Sequence, residues 1–302
     1  MPMRVLRWLW RDRGVAARAA RRAILLALAL TLFPVFFERM MVFPATRFPN
    51  RADDWTVAGE ALRRPFGGAR LEECEFTASD GVRLHAFYGR GPAAPGRKTL
   101  LWCHGNAGNI AGRLDMMEML LRLPADVLLF DYRGYGKSEG TPTEEGVYRD
   151  ADAAWDFLVK TKGVPPERIV LFGKSLGGAI AIDLAARVRP APAGLVVQSS
   201  FTSTRDVAAS TLPFIPRLLM STRMDSLSKI ARVRCPVLFI HSPADEIIPY
   251  RMGRALFDAA TGPKTFLDIP NSPHNETWIV GGQRYEDGLK AFLDSLPAGK
   301  AP

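Results

Sequence analysis

The sequence predicts an α/β protein built on a mostly parallel sheet with helices on both faces and an antiparallel hairpin at its N-terminal side. Three observations predict it. Apolar runs near 99–103, 127–131, 168–172, 195–199, 236–240 and 265–269 are separated by helix-length segments. These runs are almost continuously hydrophobic, as strands covered on both faces are. Residues able to do chemistry follow the ends of the runs, where an open parallel sheet places its site.

The elements follow in chain order. Residues 1–22 carry Arg4, Arg7, Arg11, Arg13, Arg18, Arg21 and Arg22 against the single acid Asp12. Ala23–Phe37 then runs fifteen residues without a charge before Glu38-Arg39 interrupts it. As a helix at ~1.5 Å per residue this run falls short of a ~30 Å hydrocarbon layer, although Met40–Phe43 extends its apolar character. Residues 1–43 are therefore expected to be a basic N-terminus with a membrane anchor. A signal-anchor is favoured over a helix lying in the interface, and over a cleaved signal peptide, for which no small-x-small cleavage site follows. The arginines are expected to stay cytoplasmic, placing the remainder outside a bacterial inner membrane. None of the expected core strands lies in residues 1–43, so their removal is expected to leave the folded domain intact.

Residues 44–70, with Pro44, Pro49, Pro65, Gly67 and Gly68, read as an irregular connector packed on the domain. Leu71–Phe76 and Val82–Tyr88 alternate around Ser79-Asp80-Gly81, which predicts an antiparallel hairpin with His85 in a structural place. Leu100–Cys103 breaks into the glycine-rich loop His104-Gly-Asn-Ala-Gly108. Such a loop offers backbone N–H groups to a developing oxyanion, with Asn106 the expected donor and His104 a brace. Phe130-Asp-Tyr-Arg-Gly-Tyr-Gly136 reads as a tight loop held by Asp131.

Arg168–Phe172 leads into Gly173-Lys174-Ser175-Leu176-Gly177 and then the helical Ala179–Ala186. A G-x-S-x-G between strand and helix is a nucleophile elbow: the turn is too tight for side chains two residues either side of the serine. Ser175 is the expected nucleophile, and the Leu176 amide the second oxyanion donor. Neither Gly173-Lys174-Ser175 nor Gly136-Lys137-Ser138 ends a phosphate-binding loop, because Arg168 and Asp131 occupy the places where that loop needs glycine.

Phe201–Met224 forms a short lid, apolar and broken by Pro213 and Pro216; a flap over an acyl pocket and simple packing below a loop both fit it. His241-Ser-Pro-Ala-Asp245-Glu246 follows a buried strand, and Asp245 is the expected acid, because the turn brings it back to the sheet edge. Glu246 reads as a solvated charge or as a partner of the following helix. Of the four histidines, His274 lies in a loop after the last strand, and a base following its acid in the chain fits it.

Taken together these segments resemble the α/β-hydrolase superfamily over about Leu71 to Leu296, and most resemble its membrane-anchored members with a small lid. The resemblance implies the α/β-hydrolase fold, a catalytic domain over 71–296 with a lid near 201–224, a tail at 297–302, and a Ser-Asp-His hydrolase of esters, thioesters or amides without cofactor or metal. A carboxylic ester of lipid-like or amphiphilic character is the expected small-molecule substrate. A peptidase-like amide hydrolase is the alternative enzyme, and a non-catalytic binding protein the rival class. Relatives that cleave haloalkanes carry aspartate at the elbow, where this chain has Ser175. One departure is Ser242, where relatives often have glycine.

Composition sets the remaining limits. Of the net +9, the first 22 residues hold six, so the other 280 are only mildly basic and nucleic acid is not an expected partner. Cys74, Cys103 and Cys235 form no even framework, and no metal-ligand spacing or repeat occurs. Nothing in the sequence sets the oligomeric state.

Overall fold

An eight-stranded sheet forms the centre of the molecule. The structure, a computed structural model, describes residues 14–32, 38–47, 69–91, 93–94, 96–211 and 220–297. Strands β1 (Arg70–Thr77), β2 (Arg83–Arg90), β3 (Lys98–Cys103), β4 (Ala125–Phe130), β5 (Ile169–Lys174), β6 (Gly194–Gln198), β7 (Val237–His241) and β8 (Lys264–Asp268) are ordered β1-β2-β4-β3-β5-β6-β7-β8. The β1–β2 hairpin is antiparallel, as expected, and β2 also meets β4 antiparallel; from β4 to β8 every pairing is parallel. Strands β3 to β7 are buried at every residue, which explains their unbroken hydrophobicity.

Both faces are covered. On one pack α4 (Glu144–Asp156) and α5 (Leu176–Arg187), with the short α7 (Ser226–Ile230) and α8 (Tyr250–Ala259); on the other pack α3 (Leu114–Leu121) and α9 (Thr277–Ser295). Helix α5 is buried along all but its last residue, so its sequence is apolar all round rather than striped. Helix α4 begins at Thr143, whose hydroxyl accepts the Gly146 N–H at 3.1 Å, and Glu144 and Glu145 complement its dipole. Helix α9 bends at Gly282, where φ is 44°.

A buried ion network fixes the hairpin turn to the loop after β4. Arg133 Nη1 donates to Asp80 at 2.7 Å, and Arg133 Nε to Asp150 at 2.9 Å. Burial pushes the Asp150 carboxyl up to about 6 in spite of Arg133.

At the N-terminus, α1 (Val15–Leu32) exposes Leu25, Leu26 and Leu28. No helix among the described residues is long and apolar enough to cross a membrane. The expected transmembrane helix is therefore not supported: the charged turns of α1 dilute its apolar half, and residues 33–37 of the expected anchor lie outside the described residues.

The segment 38–47 packs against the sheet's site end. The buried Glu38 carboxylate accepts N–H and O–H from Ser221 and the N–H of Thr222, just before the short α2 (Arg39–Val42). Phe43 is buried in the core, Ala45 bridges to Gly108, and the Gly136 N–H donates to Thr46 at 2.9 Å. Removal of residues 1–43, expected to leave the domain whole, would take away a buried phenylalanine and a buried carboxylate.

Candidate active site

The elbow between β5 and α5 is forced by close packing. A Cβ on Gly173 would stand 2.4 Å from the Gly177 carbonyl oxygen, and one on Gly177 would stand 1.9 Å from that of Cys103. Ser175 itself lies at φ 55° and ψ −118°, a strained conformation for a side-chain-bearing residue. Neighbours over-determine it: the Ser175 N–H donates to Gln198 at 2.8 Å, and the Ser200 hydroxyl donates to the Ser175 carbonyl at 2.9 Å. The strain holds the Ser175 side chain at the N-terminus of α5.

Two loops at the ends of β7 and β8 bring Asp245 and His274 together. His274 Nδ1 lies 2.8 Å from Asp245 Oδ2 and 3.0 Å from Oδ1. The Ile247 and Ile248 N–H groups donate to Asp245 at 3.0 and 2.8 Å, and His241 Nε2 stands 3.3 Å away. Burial alone would raise the Asp245 carboxyl, yet the contacts with His241 and His274 and the Ile248 amide hold it well below the usual carboxylate range. Glu246 points elsewhere. Its carboxylate is exposed, as a solvated charge would be, and also accepts the backbone N–H of His274 at 2.9 Å.

Ser242 joins the same two loops, its hydroxyl accepting the Ala244 N–H at 3.1 Å and the Ser272 N–H at 3.2 Å. A glycine there could do neither. The departure from the expected glycine was the signal for this tie, whereas nothing in the sequence marked Glu246 as a second one. His241 is a brace as well: it is buried, its Nε2 lies 3.0 Å from the Ile248 carbonyl, and Gly253 leaves room for its ring.

Leu176 opens α5, so its N–H has no acceptor within the helix and remains available to a ligand. Asn106 sits in the loop after β3, beside the elbow. His104 is wholly buried: its Nδ1 lies 2.6 Å from the Gly105 carbonyl, and its ring lies 4.3 Å from that of Tyr132. Burial, with Arg113 nearby, pushes its imidazole well below the usual histidine range, which suits a neutral brace. Asp131 accepts the Ile110 N–H at 3.0 Å and so holds the turn.

Ser175, His274, Asn106 and Leu176 line one cavity of about 340 Å³. No hydrogen bond joins the Ser175 hydroxyl to His274 among the described residues. The described part of the lid, including α6 (Thr204–Thr211), lines the cavity through Phe201, Val207 and Met220, whereas 212–219 lie outside the described residues. Met41 and Val42 complete the apolar wall from the N-terminal side. That contribution was missed in the sequence; the charge pair Glu38-Arg39, breaking an apolar run, was its one trace.

A family profile described as the alpha/beta hydrolase fold matches residues 98–220. An α/β-hydrolase domain-containing protein of Arabidopsis thaliana is 32% identical over 289 residues, covering 88% of this chain and 90% of its own length. An uncharacterized protein of Mycobacterium tuberculosis is 40% identical over 221 residues, covering 71% and 76%. Among solved structures, an esterase of Pyrococcus furiosus superposes with a TM-score of 0.64 at 19% identity, over 76% of this chain and 92% of that one. An α/β hydrolase of Vibrio vulnificus superposes equally well, with a TM-score of 0.64 at 22% identity over 79% and 86%.

Proposed function

Because the chain belongs to the α/β-hydrolase family, we propose that it is a serine hydrolase cleaving a carboxylic ester of a small amphiphilic acyl substrate. The observation that carries this reading is the Asp245–His274 contact of 2.8 Å at the rim of the cavity that Ser175 lines. The mostly apolar wall of that cavity suits an acyl chain, and the superposition on an esterase fold is consistent with it.

In this mechanism the Ser175 hydroxyl attacks the ester carbonyl while its proton passes to His274 Nε2. Asp245, kept ionised, holds His274 Nδ1–H in the tautomer that frees Nε2 and stabilises the imidazolium that forms. The Leu176 and Asn106 N–H groups hold the oxyanion of the tetrahedral intermediate. The alcohol leaves with the proton from His274; water, deprotonated by the same nitrogen, then releases the acid from Ser175. The strained elbow contributes by presenting Oγ without reorganisation.

A panel of p-nitrophenyl esters and aminoacyl anilides tests the reading. Ester turnover that Ser175→Ala abolishes, with anilides inert, is the expected result. Anilide turnover alone would make the protein a peptidase, and no turnover of either would favour a binding protein. A location outside a bacterial inner membrane is part of the same proposal, tested by whether a fused reporter is reached by a protease added to intact spheroplasts.

A further inference from the structure

The cavity has a second pole that ester cleavage by itself does not require. Lys174, the residue before Ser175, is 8% exposed and lines the cavity. Its ammonium donates to the Asn275 carbonyl at 3.4 Å, a long bond that leaves most of its donor capacity open. Arg113 lines the same cavity from the turn after the glycine-rich loop, and its Nη2 donates to the carbonyls of Gly105, at 3.2 Å, and Ala107. Neither cation forms an ion pair with a carboxylate among the described residues. Asp245 attracts Lys174 through space, but its oxygens are already occupied by His274 and by the Ile247 and Ile248 amides. Glu38, the carboxylate that lines the cavity, is occupied by Ser221 and Thr222.

Two cations facing a cavity without an opposing ion pair repel one another and resist burial. Burial, joined by the Arg113 charge, lowers the Lys174 ammonium to about 8. A buried charge left in this state is costly to the fold alone. An anion entering the cavity relieves both costs.

We propose that Lys174 and Arg113 form an anion-binding subsite beside Ser175, so that the preferred ester carries an apolar chain together with a phosphate monoester or a carboxylate. This rests on the hydrolase reading and deepens it. The chain lies against the apolar wall from Met41, Val42 and the lid, and the anion is held by charge-assisted hydrogen bonds at the cationic pole.

Three esters sharing one acyl chain test the subsite: 1-lauroylglycerol, its 3-phosphate, and the lauroyl ester of glycerate. Fatty-acid release is measured below the micellar concentration of each. The wild-type kcat/KM for one of the anionic esters is expected to exceed that for lauroylglycerol by about tenfold, a charge-assisted hydrogen bond's share of binding. Whether the phosphate or the carboxylate ester leads identifies the anion. In Lys174→Met this ratio is expected to fall toward one, and in Lys174→Arg to persist. A wild-type protein with no preference for either anionic ester would overturn the proposal, with no variant needed. So would Lys174→Met lowering all three esters equally, because Lys174 would then only brace the Asn275 carbonyl. Failure to cleave any of the three esters or any p-nitrophenyl ester would overturn the ester-hydrolase reading itself and this subsite with it.

Discussion

Two buried aspartates each stand between two histidines, and their surroundings push their carboxyls in opposite directions. Asp131, after β4, has His85 Nδ1 at 3.8 Å and His104 Nε2 at 3.7 Å, beyond hydrogen-bond range. One N–H, from Ile110, reaches its Oδ1, and its Oδ2 has no hydrogen-bond partner. Burial therefore pushes the Asp131 carboxyl up against the pull of His85 and the Ile110 amide. Asp245, after β7, has His274 at 2.8 Å, His241 at 3.3 Å and two loop amides, and is held down despite its burial. The chain's four histidines are thus divided two and two. An acid and an imidazole in proximity do not make a relay. The carboxylate must also be kept ionised and aimed, and donors spaced under about 3 Å do that.

The sharpest way to break this contrast is to neutralise each aspartate in turn. Asp245→Asn should lower kcat on a short p-nitrophenyl ester by about 10⁴, because the amide selects the wrong imidazole tautomer. Asp131→Asn should change it by less than about tenfold, since Asp131 reaches no reacting group. Equal losses would erase the distinction between the two clusters.

Stability probes the Asp131 side, against which the segment 44–47 is laid through Gly108 and Gly136. Phe43→Ala should cost about 3–5 kcal/mol in chemical denaturation, as truncation of a buried phenylalanine does. A chain beginning at residue 38 should keep its stability, whereas one beginning at residue 44 should lose it and expose the cavity. Equal stability of the two would show that this segment is not part of the folded unit.

Smaller losses should follow from loosening the ties between the Asp245 and His274 loops. Ser242→Ala leaves the Ala244 and Ser272 amides without their acceptor and should lower kcat about fivefold with little change in KM, near the ~1 kcal/mol of a lost hydrogen bond. Glu246→Gln keeps an acceptor oxygen for the His274 N–H and should cost less than about threefold. If Glu246→Gln were more damaging than Asp245→Asn, the assignment of the acid would be reversed.

The subtlest effect is a difference in pH slope. A depressed carboxyl such as Asp245 stabilises the fold above the ordinary carboxylate range, and that stability is lost as pH falls. A raised carboxyl such as Asp131 stabilises it in acid, and that stability is lost as pH rises through its raised value. Going from acid to neutral pH, wild type should therefore gain on Asp245→Asn and lose ground to Asp131→Asn. Parallel stability–pH curves would contradict this.

Much of the fold was legible in the sequence, because strands buried on both faces have no choice but to be continuously apolar. The strand positions come within one or two residues: β4 begins at Ala125 where the apolar run suggests 127. The elbow was legible for a steric reason, since Gly173 and Gly177 leave no room for a Cβ. The pairing of β2 with β4 was not, because a register between segments 40 residues apart leaves no local pattern. The choice of Asp245 over Glu246 could be argued from the turn, but the contact of Glu246 with the His274 amide depends on two loops meeting in space. The same holds for Glu38, buried on Ser221 and Thr222 nearly two hundred residues away. The apolar run at 23–37 is described only as far as Leu32. Helix α1 joins the run's first ten residues to an arginine-bearing turn, and no helix among the described residues is long and apolar enough to cross a membrane.

Covalent labelling reads out the proposed nucleophile, Ser175 served by His274 and Asp245, without the need for a substrate. Wild type, Asp245→Asn and Asp131→Asn are treated with a fluorophosphonate, and the modified peptide is identified by mass spectrometry. One adduct is expected, on Ser175, formed at nearly the wild-type rate in Asp131→Asn and far more slowly in Asp245→Asn. An adduct on another serine, such as the neighbouring Ser199 or Ser200, would contradict it, as would fast labelling of Asp245→Asn beside an inert Asp131→Asn.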